Sequence, residues 1–217
     1  PEIDRIFESY LLELKKSMIK ENIPVFIKKK WPSGKEFAVA ITHDADRISV
    51  DIEHFNKVKD RFTEEVIQAF FQKDEDPYWN IERIAEMEKE FGFRSSFYLL
   101  LSEYKIDSKL ETFRRLIDEG WEIALHGGFN THNNKNELLK ELELFRNYFG
   151  NKSEGIREHY LKFDPEKSWD IMNQLQLKYD TTWGFNENPG FKASISLPFN
   201  PPNLEWECFN ILEIPLV

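Results

Sequence analysis

The chain has 217 residues, a length that fits one good-sized domain, and its 39 acidic against 29 basic side chains leave a formal net charge of −10. That charge argues against nucleic acid or an anionic membrane surface as the main partner, and 41% apolar with 15% aromatic residues excludes intrinsic disorder. A single cysteine, Cys208, excludes an internal disulfide framework and any cysteine-built zinc module, so a metal would have to be held by histidines and carboxylates.

Residues 1–30 are expected to form an N-terminal amphipathic helix and lead-in. Ile3, Ile6, Phe7, Tyr10, Leu11, Leu14 and Met18 recur at helical spacing over 3–20, as in a helix lying on something else. A turn at 28–35, marked by Pro32 and Gly34, leads into the apolar run Phe37, Ala38, Val39, Ala40, Ile41, Thr42, which predicts a buried strand. Residues 51–76 form a polar and aromatic excursion, helical around 63–71, expected to be an inserted lobe. A regular rhythm follows: helix 81–91 ended by Gly92, strand 95–101, helix 108–119 ended by Gly120, strand 121–125 and helix 136–149 closed by Gly150. Strand 155–156, helix 165–175, strand 179–181 and strands near 193–196 and 211–216 complete it. This alternation predicts residues 31–217 as an α/β domain of right-handed βαβ units around a mostly parallel sheet, open or closed into a barrel. Functional groups in such folds gather at the C-terminal ends of the strands.

Three polar clusters fall at such ends. In Thr42-His43-Asp44-Ala45-Asp46-Arg47, two carboxylates two apart are costly to bury without a cation or a proton. A divalent metal on one would leave the other as a base toward water; an ordinary capped loop is the plain alternative. His126-Gly127-Gly128-Phe129-Asn130-Thr131-His132 places two imidazoles in one short glycine-containing loop, either converging on one ion or divided between a structural His126 and an exposed His132. In Gly155-Ile156-Arg157-Glu158-His159-Tyr160, the planar fork of Arg157 suits gripping a carboxylate and holding it ionised, or forms a surface pair with Glu158. His159 stays open as a ligand, an acid or a core histidine.

Together these residues resemble the polysaccharide deacetylases of the NodB-homology type, carbohydrate esterase family 4. Ile41-Thr42-His43-Asp44-Ala45-Asp46 is similar to a His-Asp-x-Asp form of the family's first motif, and Trp121-Glu122-Ile123-Ala124-Leu125-His126-Gly127 to the approach to its metal histidine. Arg157-Glu158-His159-Tyr160 stands where Arg-x-Pro-Tyr is usual, and Tyr179 to Phe185 with Gly190 to Phe199 resemble late segments of one branch. The resemblance implies a distorted, incomplete (β/α) barrel of about seven strands holding one divalent metal, usually zinc. It implies Asp44 as general base, Asp46 and His126 as ligands, Arg157 as the residue orienting Asp44, and the Tyr160 backbone N–H as an oxyanion donor. The family's second metal histidine lies four residues after the first, where this chain has Asn130. The third ligand is therefore His132, or else Asn130 or His159. No late catalytic histidine follows His159.

The implied activity is metal-dependent hydrolysis of an N-acetyl or O-acetyl group on a carbohydrate, with Trp183, Phe185 and Phe191 as a stacking platform for sugar. Two rivals are a catalytically inactive carbohydrate-binding relative that has lost part of the metal site, and a metal-free glycosidase pairing Asp44 with Glu158 or Asp180. No apolar run is long enough for a membrane span or a signal-peptide core, and one cysteine suits the cytoplasm. Because the chain begins at Pro1, a lost leader or upstream domain is also compatible.

Overall fold

The computed structural model describes residues 1–25, 31–73, 75–150 and 154–217. Residues 28–30 of the expected turn, and Asp74 near the end of the expected lobe, lie outside the described residues. Six strands make one sheet: β1 Thr42–Ala45, β2 Ser96–Leu99, β3 Glu122–Gly127, β4 Gly155–Glu158, β5 Tyr179–Asp180 and β6 Leu212–Glu213. They lie side by side in chain order and every pair is parallel. The helices are α1 Glu2–Lys20, α2 Ile52–Val58, α3 Glu64–Lys73, α4 Ile81–Glu90, α5 Leu110–Asp118, α6 Lys135–Phe149 and α7 Ser168–Gln174. This is an α/β fold of successive parallel crossovers, with six strands among the described residues where about seven were expected.

One register row crosses the whole sheet: Ala45, Leu99, Leu125, Ile156, Asp180 and Glu213 are successive partners. Because side chains alternate along a strand, this row and the rows two residues away share one face. Ala45, Leu99, Leu125 and Ile156 on that face join Phe113, Leu116, Leu138 and Met172 of the covering helices in the main core. The rows one residue before and one residue after face the other way. They carry Asp44 and Tyr98 on one side of the reference row and His126, Arg157 and Thr181 on the other.

The expected strand at 37–42 is displaced. Pairing begins at Thr42 and runs to Ala45, whereas Phe37 and Val39 are 72% and 73% exposed. β1 is the edge strand, its one neighbour is β2, and the Ile41 carbonyl accepts the first bond from the Ser96 N–H, so the residues before it have no ladder to join. His43 and Asp44 therefore lie within the strand and point to opposite faces. No strand forms at 193–196. Ser196 there donates its backbone N–H (2.8 Å) and its hydroxyl to Asp4 of α1. Phe199 further on pairs with Glu213 in an isolated antiparallel bridge. Helix α1 forms over the expected residues but buries none of them, so its apolar stripe faces outward rather than lying on the domain. The helix α2, capped by the Asp51 carboxylate on the His54 N–H, was not anticipated; its Phe55 stacks on Phe62 and Phe70.

Candidate metal centre

Three acceptor atoms from three strand ends converge. Asp46 Oδ1 lies 3.2 Å from His126 Nε2 and 3.3 Å from His159 Nδ1, and the two imidazole nitrogens are 3.2 Å apart. The Nδ1–H of His126 donates to the Arg157 carbonyl at 2.7 Å, which in the neutral ring leaves a lone pair on Nε2. A carboxylate oxygen and two imidazole lone pairs at such separations repel unless a proton or a cation sits among them. Tetrahedral ligands about 2.0–2.1 Å from one ion are ~3.3 Å apart, so the three separations suit a small divalent metal with a fourth position free. These residues form a possible metal-binding triad among the described residues.

Burial prepares the two imidazoles. His126 and His159 are nearly buried, and burial pushes the His159 imidazole below its usual range, which keeps its lone pair available. With a proton rather than a cation in the gap, Asp46 is held below the ordinary carboxylate range, first by the hydrogen bond it then accepts from His126. The His159 ring is gripped on two sides, with the Phe129 centroid at 4.9 Å edge-on and that of Tyr160 at 4.1 Å. Two successive residues after it, Tyr160 and Leu161, have φ of 57° and 50°, a left-handed backbone that side chains disfavour and that makes the chain turn sharply beside the centre.

Asp44 stands next to the triad without joining it. Its Oδ1 accepts from Arg157 Nη1 at 2.7 Å, and its Oδ2 is 4.0 Å from His126 Nε2. One oxygen is thus occupied by a buried guanidinium, and the other faces the convergence point. On the opposite side of β1, His43 donates to Glu88 of α4 at 2.8 Å, and Glu88 also accepts from Ser95 and Trp121, both at 2.7 Å. Sequence reasoning did not find this anchor; the alternation of His43 with Asp44 along a strand was the available signal.

The structure separates the other candidates. His132 lies in the turn Thr131–Asn133, outside the converging group, with its ring Nδ1 buried and without a partner and its carbonyl accepting from Ser168. Asn130 is exposed. Trp183 is half-buried against Phe163 and Trp169, and Lys192 sits 4.5 Å over its ring, so its face is already covered. Phe185 lines a shallow cavity of ≈ 320 Å³ with Leu161, Asn186 and Lys192, and Phe191 is half-buried. Glu158 and Asp180 have no exposed surface and share the helix-covered face of the sheet, away from Asp44. Burial pushes both carboxyls upward, so neither serves the two-carboxylate glycosidase alternative.

No protein-family model matches the chain, and no curated protein matches it in sequence. Solved structures do. A Mycobacterium smegmatis protein assigned as a polysaccharide deacetylase superposes with a TM-score of 0.56 at 22% identity over 89% of this chain, and PuuE allantoinase with 0.57 at 13% over 89%. The fold is that of the NodB-type deacetylases. The chain spans 62% and 66% of the length of those two proteins. Among the described residues, no helix is long and apolar enough to cross a membrane.

Proposed function

We propose that the protein is a metal-dependent hydrolase that removes an N-acetyl or O-acetyl group from a carbohydrate. The observation that carries this reading is the convergence of Asp46, His126 and His159 directly beside an arginine-held Asp44. The sugar follows from the polysaccharide deacetylase among the structural neighbours, and the bond class from that protein together with the allantoinase.

Asp46, His126 and His159 would hold the divalent cation, zinc by the nitrogen-and-oxygen donor set. When bound it supplies Lewis acidity and brings the pKa of water toward neutrality. Asp44 takes the proton of the attacking water at Oδ2, because Oδ1 is committed to Arg157. The Arg157 guanidinium, bonded to Oδ1, fixes the direction of that carboxylate. The Tyr160 N–H, carried on the left-handed turn after His159, is the donor toward the developing oxyanion. Phe185, exposed at the cavity edge, offers a face to the sugar. A set of three converging donors answers one of the two grounds for the inactive-relative alternative, Asn130 in place of a histidine, and leaves the other, the lack of a late histidine after His159.

Asp44→Asn keeps the shape and the metal ligands and removes proton acceptance. Turnover of an acetylated chito- or xylo-oligosaccharide is expected to fall by about a thousandfold or more with metal content unchanged. An Asp44→Asn enzyme with wild-type turnover would end the assignment of the base.

A further inference from the structure

We propose that Thr181, supported by Tyr98, is a positioning residue that fixes the Arg157 guanidinium and through it aims the Asp44 carboxylate. The inference rests on the reading of Asp44 as the base.

Asp44 is 36% exposed on an edge strand, and its fixed polar partner is Arg157. Its direction is therefore inherited from the arginine. Arginine is long and rotamer-rich, so a single contact to Asp44 at Nη1 would leave its head free to swing. Two further contacts prevent that. Arg157 Nε–H donates to the Thr181 hydroxyl at 3.0 Å and, less closely, to the Thr181 carbonyl at 3.4 Å. The Thr181 hydroxyl, having accepted, has one hydrogen left, which the Tyr98 hydroxyl accepts at 3.2 Å, with the Ile156 carbonyl a longer alternative at 3.5 Å. The Tyr98 ring in turn lies under the guanidinium, 4.6 Å from its carbon.

Arg157, Thr181 and Tyr98 are all nearly buried, so water cannot replace a lost contact cheaply. Tyr98 comes from β2, Arg157 from β4 and Thr181 from the residue directly after β5, and the alternation that puts Asp44 on this face puts all three there. The pairing with β4 is made by the Thr181 backbone N–H, which bonds to the Ile156 carbonyl at 3.0 Å, and the hydroxyl adds only a long contact of 3.5 Å to that same carbonyl.

Thr181→Val keeps the branched shape and deletes the acceptor. In an enzyme loaded with zinc, kcat is expected to fall about tenfold with KM within about twofold, and Thr181→Ser to restore most of it. Combined with Arg157→Ala, Thr181→Val should cost nothing more, because it acts only through the arginine. A readout independent of turnover is the Arg157 Nε–H resonance in a nitrogen-15 spectrum: slowly exchanging in the parent protein, fast in Thr181→Val. If Thr181→Val does not fold, Tyr98→Phe takes its place, with an expected loss of about threefold and the same exchange behaviour.

Unchanged kcat with a protected Nε–H in the variant, or an additive loss on top of Arg157→Ala, would overturn the proposal. A parent protein that never hydrolyses acetylated sugar with metal present would count against the hydrolase reading alone, since the exchange measurement still judges the bracing of Arg157.

Discussion

His159 brings a third donor atom to Asp46 and His126. It occupies the position where the resembled motif has proline, and a proline there offers no lone pair. Its imidazole instead sits 3.3 Å from Asp46 and 3.2 Å from His126, with Phe129 and Tyr160 packed on two adjacent sides. This packing matters because an imidazole that must wait for an ion in a fixed direction loses less rotational freedom on binding it. His126 is directed differently, by the hydrogen bond from its Nδ1 to the Arg157 carbonyl. The same residue of β4 thus orients His126 with its backbone and Asp44 with its side chain, which couples the two halves of the site. His132 has neither device, and its orphaned ring nitrogen lies apart from them.

At the scale of elements, β1 is the weak member: four residues at an edge, with a single neighbour, carrying Asp44 and followed by Asp46. What ties it to the rest is His43, whose ring stacks on Phe97 at 4.9 Å and bonds to the buried Glu88 of α4. Glu88→Ala would strand three donors, from His43, Ser95 and Trp121, in a poorly hydrated space. A loss of about 2–4 kcal/mol in a urea melt is expected; a loss below about half a kcal/mol would show that the anchor is dispensable.

Much of this layout was legible in the chain. Helices α4 to α6 and strands β2 to β4 follow from apolar periodicity and the glycines that end helices. The position of β1 did not, because Phe37 to Ile41 has the composition of a strand and no partner to pair with, something composition cannot report. The ligand set was legible only as a choice among His132, Asn130 and His159. That choice depends on where the turn after β3 points, and on a left-handed turn at Tyr160 and Leu161 that their sequence does not advertise. Thr181 was visible only as part of a segment, and its use depends on the register across β4 and β5.

For the whole molecule, the sheet places chemistry on one face and a belt of buried acids on the other. Burial pushes Glu213 up to about 11, with Asp180 beside it adding to the shift, and drives Glu158 well above its usual range. A carboxyl whose folded pKa is raised binds a proton that the unfolded chain releases, so its contribution to stability falls as pH climbs from the ordinary value toward the folded one. Glu141, raised by burial to about 7, has spent most of its effect by neutrality, whereas Glu213 continues through the alkaline range. Metal-free protein should therefore lose stability between about pH 7 and about pH 9, by up to about 1.4 kcal/mol per pH unit for each such carboxyl. Thermal melts across that interval should show a falling Tm, less steep in Glu213→Gln. A Tm that is flat or rises would contradict protonated acids beneath the sheet.

The account depends most on an ion held by Asp46, His126 and His159. Elemental analysis after zinc loading and desalting, on the parent chain and on His126→Ala, His159→Ala and His132→Ala, addresses it directly. The expected result is about one zinc per chain in the parent and in His132→Ala, and a large loss in the other two. Full zinc in His159→Ala, or its loss in His132→Ala, would contradict the ligand set, and a parent chain that retains no metal would contradict the centre itself.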